Sequence, residues 1–316
     1  MAIFKPEDLP LQEQKFSMII YGAPGVGKTT LASSAPNPIL FDLDKGIQRI
    51  RAQHRPLVSR VNTYEELLAD IQSASVSNTD TIVIDTGGAL ITLLQDYAMR
   101  KDPVNKTKSG SISQKGFGAV KQEFVNLTNT LKTKFNKNII YVFHALEEKN
   151  KEGNPIQRLM CEGSAKNIVW QPCDFGAFLY KSGDKTFAGF TPTDEYFAKG
   201  CYGVTGVRPV PFGDGVKNDF LKTLFEEANA NIQADNEFFA AEKDAYEKAM
   251  AEGKELKHSL TSKEELRQIL REKIVELGFV WDKEKKSYTA PAKTKAETEK
   301  QESRPVSKPD EGIDNE

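Results

Sequence analysis

A chain of 316 residues with 39% apolar and 28% charged side chains has the make-up of a soluble globular protein that buries one large core and carries appendages. Its net charge of −2 excludes a globally basic nucleic-acid binder, so any such contact has to come from local patches. Three cysteines are too few for a disulfide framework or a zinc ribbon and point to a reducing cytoplasm; no signal-peptide core and no apolar run of ~18 residues directs the chain to export or to a membrane.

The first predicted element is a strand drawn from the apolar run FSMIIY, which leads straight into YGAPGVGKTT. Its glycines let the backbone turn so that successive N–H groups face one concavity, and a helix beginning near Lys28 adds its positive end. Gly22, Ala23, Pro24, Gly25, Val26, Gly27, Lys28, Thr29 and Thr30 carry the spacing G-x-x-x-x-G-K-[ST] of a phosphate-binding loop. In that reading Lys28 reaches the β- and γ-phosphate oxygens of ATP, and the Thr29 hydroxyl ligates the Mg²⁺ between them.

Pro36 and Pro38 cut the following helix short, and PILFDLDKG is the second strand. It ends in Asp42 and Asp44, which two apart point the same way in a strand and are the candidates for orienting an attacking water, with Asp44 placed in that role. Thr63 and Glu66 form a capping box for the helix YEELLADIQSA. The third strand, within TDTIVIDTGG, has the unbroken apolar run of a strand buried on both faces. Asp85 at its end is the metal-positioning carboxylate, placed beside Thr29 if this strand is the neighbour of the first. Two helices flank the polar loop KDPVNKTKSGSISQKG, the second with Phe117, Val120, Phe124, Leu127 and Leu131 on one face. NIIYVFHALEE is the fourth strand, whose end carries His144: a core histidine, or a hydrogen-bond partner of the γ-phosphate or the water.

The predicted fold is therefore α/β, a doubly wound and mostly parallel sheet. FGAFLYKSGDKTFAGF and YFAKGCYGV read as its antiparallel extension, with a hairpin turn at Ser182-Gly183-Asp184. The expected organisation is a P-loop core over residues 1–217, a charged-helix region over 218–257 whose helix runs from roughly Asn218 to Glu252 with Gly253 available to end it, a small helix-hairpin unit over 258–290, and an acidic-tipped disordered tail over 291–316. In the small unit Phe279, Trp281 and Tyr288 read as a miniature core on Leu266, Ile269 and Leu270 rather than a base-stacking platform.

Taken together, GAPGVGKTT, LFDLDKG, TIVIDTGGAL and IIYVFHALEE resemble RecA-type recombinase cores over roughly residues 16–212. The resemblance is greatest to the phage-encoded P-loop proteins that include RecA-like single-strand annealing proteins and phage nucleotide-binding proteins. It implies ATP and Mg²⁺ as ligands and a catalytic set of Asp44 in place of the family's glutamate, Asp85, His144 in place of its sensor glutamine, and Lys199 in FAKG as a lysine reaching the neighbouring subunit's nucleotide. The family's second lysine there corresponds to Cys201. The resemblance also implies single-stranded DNA contact through Lys106, Lys108 and Lys115 in the first loop and Lys149, Lys151 and Arg158 in EEKNKEGNPIQR. Homo-oligomers and a single-stranded-DNA-binding protein or other replication partner are implied too. The expected function is an ATPase acting with single-stranded DNA in phage recombination or replication, in the host cytoplasm; the alternative is a nucleotide-dependent switch or assembly factor that contacts only proteins.

Overall fold

The structure, a computed structural model, describes residues 13–149, 152–161, 168–213, 216–255, 275, 280–282 and 287–289, with side chains described as far as residue 237 and at residue 275. The chain divides into two compact units, Pro10–Ile232 and Gln233–Glu316 with Met1–Leu9.

In chain order the first unit contains β1 (Ser17–Gly22), α1 (Lys28–Ala32), β2 (Pro38–Asp42), β3 (Leu57–Ser59), α2 (Tyr64–Ile71), α3 (Ala74–Ser77), β4 (Thr81–Asp85), α4 (Gly87–Lys101) and α5 (Gln114–Thr133). After these come β5 (Asn138–Lys149), β6 (Pro155–Leu159), β7 (Phe175–Ser182), β8 (Lys185–Gly189), β9 (Val207–Val210) and the start of α6 (Phe220–Glu255). Among the described residues nine strands form one sheet in the order β3-β2-β4-β5-β1-β7-β8-β9, with β6 paired to the outer half of β5. The six strands from β3 to β7 are parallel, and β6, β8 and β9 are each joined by antiparallel pairing.

The central strands are buried on both faces because alternate residues feed two cores. Ile19, Tyr21, Ile82, Ile84, Tyr141 and Phe143 pack with α2, α4 and α5, whereas Met18, Ile20, Val83, Ile140 and Val142 pack with α1 and the first turns of α6. Of the stripe expected on α5, Val120, Phe124, Leu127 and Leu131 lie in the core, each contributing about 1.5–3 kcal/mol of burial, whereas Phe117 is half-buried. The Thr63 capping box is formed, with Glu66 N donating to Thr63 Oγ1 at 3.2 Å and Thr63 N to Glu66 Oε2 at 3.3 Å.

Several elements differ from the sequence reading. β7 pairs in parallel with β1, so the antiparallel extension starts only at β8, after the two-residue turn Gly183-Asp184. YFAKGCYGV makes isolated bridges, Tyr196 with Gln157 and Lys199 with Gly176, and is no strand. YEELLADIQSA breaks into α2 and α3 because Ser73 caps a new turn, its Oγ accepting from Val76 N at 3.4 Å. The polar loop after α4 is a pinned turn: Thr107 N donates to Ser111 O at 2.8 Å, Ser113 N to Asn105 O at 2.8 Å, and the buried Asn105 Nδ2 to Ala98 O at 2.9 Å. The described residues of EEKNKEGNPIQR pair as the two arms of a hairpin, because β5 continues past His144 and β6 returns along it. Leu221, Leu224, Phe225 and Ala228 of α6 are buried in the core, so the core unit runs to Ile232 where the sequence reading ended it at 217.

In the second unit α6 passes through Gly253 rather than ending there. The hairpin expected from FVWD and SYTA is present as β10 (Val280–Asp282) and β11 (Ser287–Thr289), with Trp281 opposite Tyr288. The helix expected from Thr261 or Ser262 to Leu277, Phe279 and the tail beyond residue 290 lie outside the described residues, apart from a helical Val275.

Candidate active site

Parallel pairing brings the C-terminal ends of four strands to one edge: Gly22 on β1 is opposite His144 on β5, Asp42 on β2 is opposite Asp85 on β4, and Asp85 is opposite Val142, two residues before His144. That edge of an open α/β sheet is where ligands bind. Here it opens into a cleft of about 700 Å³ lined by Pro24 to Thr30, Asp44, Asp85 and His144.

The loop after β1 can be built only from glycine at two of its positions. A Cβ on Gly22 would stand 2.2 Å from the Leu179 carbonyl oxygen of β7, and Gly27, at φ +100°, would press one into the Phe212 ring at 2.7 Å. The loop hands over to α1, and Lys28 turns back across it, its Nζ donating to the carbonyls of Gly22 at 3.1 Å and Ala23 at 2.8 Å. Burial lowers the pKa of this ammonium, opposed by the charges of Asp85 and Asp44.

Thr29 Oγ1 donates to Asp85 Oδ2 at 2.5 Å. The sequence reading reached this contact by making the two strands neighbours, and that is incorrect: β5 lies between β4 and β1. The contact forms because α1 packs over β5 and carries Thr29 across its end. Asp85 is 7% exposed. Burial pushes its pKa up to about 6, with the Thr29 hydrogen bond pulling down and the nearby Asp44 charge adding to the rise. The peptide bond between Asp85 and Thr86 is cis.

Asp42 and Asp44 do not point the same way, because β2 ends at Asp42 and Asp44 lies in the turn beyond it. Asp42 is buried and structural: it accepts from Gly46 N at 2.7 Å, Ile47 N at 3.4 Å and Arg60 Nε at 3.2 Å. Asp44 faces the cleft, where Oδ1 accepts from Gly46 N at 3.0 Å and Oδ2 from Arg49 at 3.2 Å. His144 shares the cleft, and its buried Nδ1 has no hydrogen-bond partner among the described residues. Burial first, then the positive charges of Lys28 and Arg49, lower its pKa, so the ring is neutral at neutral pH.

Four expected site residues are therefore brought together, Lys28 with Thr29, Asp85 and His144, and Asp44 joins them from the next turn. Lys199 is not among them: its Nζ donates to the Cys173 carbonyl, and its backbone bridges Gly176 at the N-terminal start of β7. Lys106 and Lys108 are exposed on the turn between α4 and α5 and Lys115 in the first turn of α5, and Lys149 is exposed on the β5–β6 hairpin with Arg158 half-buried beside it; none of these lines the cleft. Lys151 lies outside the described residues.

Sequence reasoning missed both flanks of the cleft. Arg49, Ile50, Arg51 and His54 line it beyond β2, and Lys181, Asp184, Thr186 and Phe212 line it beyond β7. The first flank left a trace in GIQRIRAQH, where Arg49 and Arg51 flank Ile50, which with Ile47, three residues earlier, is buried. Phe212 left none, since its role depends on where the end of β9 meets Gly27.

No relative among curated proteins matches the chain. A solved KaiC-like protein from the hyperthermophilic archaeon Pyrococcus horikoshii is similar at 12% identity and a TM-score of 0.32, over 62% of this chain and 89% of that one. The AAA domain matches residues 14–202, which carry the phosphate-binding loop, Asp85 and His144, and the chain therefore belongs to the AAA domain family of P-loop NTPases.

Proposed function

We propose that the protein is a Mg²⁺-dependent ATPase that acts on single-stranded DNA, in phage recombination or replication. The observation that carries the ATPase reading is the convergence of Lys28, Thr29, Asp85, Asp44 and His144 on one cleft at the C-terminal edge of the sheet. A nucleotide with its metal fits these residues. The Thr29 hydroxyl and Asp85 carboxylate are hard oxygens held 2.5 Å apart, the ligand type Mg²⁺ takes together with phosphate oxygens. Bound there, Mg²⁺ would supply charge neutralisation at the phosphates.

The protein's own groups divide the remaining work. The loop amides and Lys28 hold the phosphates, Asp44 orients the attacking water and takes its proton, and neutral His144 presents a ring nitrogen as a hydrogen-bond partner to the γ-phosphate or the water. The DNA reading is supported by Lys106 and Lys108, exposed on a turn whose backbone is pinned, by Lys115, exposed in the first turn of α5, and by the basic residues of the β5–β6 hairpin. So few phosphate contacts give weak binding per chain, roughly 10⁻⁴ to 10⁻⁶ M at physiological salt, so several chains side by side are required for useful retention.

Steady-state ATP turnover with and without single-stranded DNA tests both parts. Asp44→Asn is expected to spare ATP binding and lower kcat by about 10²–10⁴-fold, the usual worth of a general base. Charge reversal at Lys106 and Lys108 is expected to weaken DNA retention on all sequences alike and to flatten its salt dependence by ~0.7 per lost contact. Unchanged turnover in Asp44→Asn would remove the catalytic assignment. DNA retention indifferent to salt and to those lysines would leave the protein-only switch.

A further inference from the structure

We propose that Arg49 is the cation that, within the same chain, stabilises the charge developing on the phosphates during hydrolysis, an inference that rests on the ATPase reading of the cleft. Its backbone is fixed from three sides. Ile47 and Ile50 are buried in the core on either side of it, and the buried Asp42 carboxylate ties down the N–H groups of Gly46 and Ile47. The guanidinium itself is 74% exposed, lies in the cleft, and meets Asp44 Oδ2 at 3.2 Å. Gly46 leaves it room, since a Cβ there would stand 3.0 Å from Arg49 Nη1.

Of the cations that line the cleft, Lys28 leans on its own loop and serves to hold the phosphates, Arg51 and Lys181 stand on the two walls, and Arg49 pairs with the base Asp44. An ion pair as exposed as that of Arg49 with Asp44 contributes little to folding and is readily exchanged for a phosphate oxygen. In the reaction the water oxygen bonds to the γ-phosphorus. The bond from that phosphorus to the β,γ-bridging oxygen breaks, its electron pair leaves with ADP, and the water's proton passes to Asp44 and on to solvent. Negative charge grows on the bridging and β-phosphate oxygens as that bond opens. A guanidinium that turns from Asp44 to those oxygens neutralises this charge and, in leaving, frees Asp44 Oδ2 to receive the proton. Arg49 thus couples the arrival of the γ-phosphate to the release of the base.

Binding of ADP alone and of ADP with aluminium fluoride and Mg²⁺, a mimic of the transferring phosphoryl group, tests this in the full-length protein and in Arg49→Ala and Arg49→Lys. Arg49→Ala is expected to bind ADP within about threefold of the parent and to lose roughly 30-fold or more in affinity for the fluoride complex, with kcat down about 10²–10³-fold. Arg49→Lys, which keeps the charge but not the planar fork, is expected to fall between. Guanidinium ion is expected to restore part of the alanine variant's turnover, and mixing Arg49→Ala with Lys28→Ala is expected to restore none. Parent-like fluoride-complex affinity and kcat in Arg49→Ala would overturn the role, and turnover restored by the mixture would overturn its action in cis. A parent protein that binds neither ADP nor ATP would instead overturn the ATPase reading, and this inference with it.

Discussion

The two ends of the central sheet are both polar and are built in opposite ways. At the N-terminal ends of the strands, Asp174 Oδ2 accepts from Ser17 N at 2.8 Å, Ser17 Oγ at 2.9 Å and Lys132 Nζ at 2.6 Å, and Asn138 Oδ1 accepts from Phe16 N at 2.8 Å. One carboxylate there ties β1, α5 and the start of β7 together. At the C-terminal ends Asp42 is fully bonded, but in the cleft Asp85 receives a hydroxyl hydrogen from Thr29, Lys28 leans on carbonyls of its own loop, and the Nδ1 of His144 is buried with no partner among the described residues. Buried polar groups are costly unless paired. The first end is therefore a staple, and the second carries a folding cost of the kind proteins retain where a ligand completes the bonds.

The contrast can be broken at either end. Asp174→Ala should have the largest destabilising effect, about 3 kcal/mol lost in urea unfolding, since the Ser17 amide and Lys132 lose their acceptor while Ser17 Oγ keeps the Pro172 carbonyl. It should leave ATP affinity unchanged when measured well below the transition; a loss under 1 kcal/mol would show that this end is no staple.

Asp85→Asn should act in the other direction. In the metal-free and nucleotide-free protein the folded-state pKa of Asp85 is raised to about 6, whereas the unfolded carboxyl titrates near ~4. The folded state therefore binds this proton more tightly, and the Asp85 contribution to stability falls as pH rises from ~4 to ~6 and stays lowered above that. Asn carries no such slope. The variant should match the parent near pH ~4 and exceed it by about 3 kcal/mol at neutral pH, while losing Mg²⁺-dependent turnover. Equal stability of the two proteins across this range, followed by thermal unfolding, would contradict a buried, costly carboxylate.

His144→Leu should show the smallest change in stability. Replacing a buried, unpaired nitrogen by an apolar group is expected to be neutral or to stabilise by about 0.5–1 kcal/mol. Turnover should fall, because the ring's contact with the phosphate or water is gone. Destabilisation beyond 1 kcal/mol would mean that the ring is packed as core and not presented to the cleft.

What could be read from the residues follows from how local each signal is. The loop from Gly22 to Thr30, the buried runs of β1, β4 and β5 and the Thr63 cap are set by neighbours in sequence, and each was legible. The pairing of Thr29 with Asp85 was legible as a result and not as a path, because strand order depends on long-range packing and β5 inserts between the two strands. Asp42 and Asp44 were misread by one step: strand alternation holds only while the strand lasts, and β2 stops at Asp42. Lys199 was carried over by resemblance to a lysine that acts between subunits, whereas in this chain it is held at the Cys173 carbonyl. The flanks of the cleft, Arg49 on one side and Phe212 on the other, are made by segments about 160 residues apart that only the folded sheet brings to the same loop.

The most direct test of the central claim, that the incompletely paired end of the sheet is a nucleotide site, is equilibrium binding of a fluorescent ATP analogue with Mg²⁺ to the parent protein and to Lys28→Ala. The account predicts saturable binding to the parent and a loss of roughly 10- to 100-fold in the variant, as expected when a charged hydrogen bond of about 1.5–3 kcal/mol is removed, with the variant's thermal unfolding unchanged or shifted upward. Equal affinity in a folded Lys28→Ala protein, or no saturable binding to the parent, would contradict it.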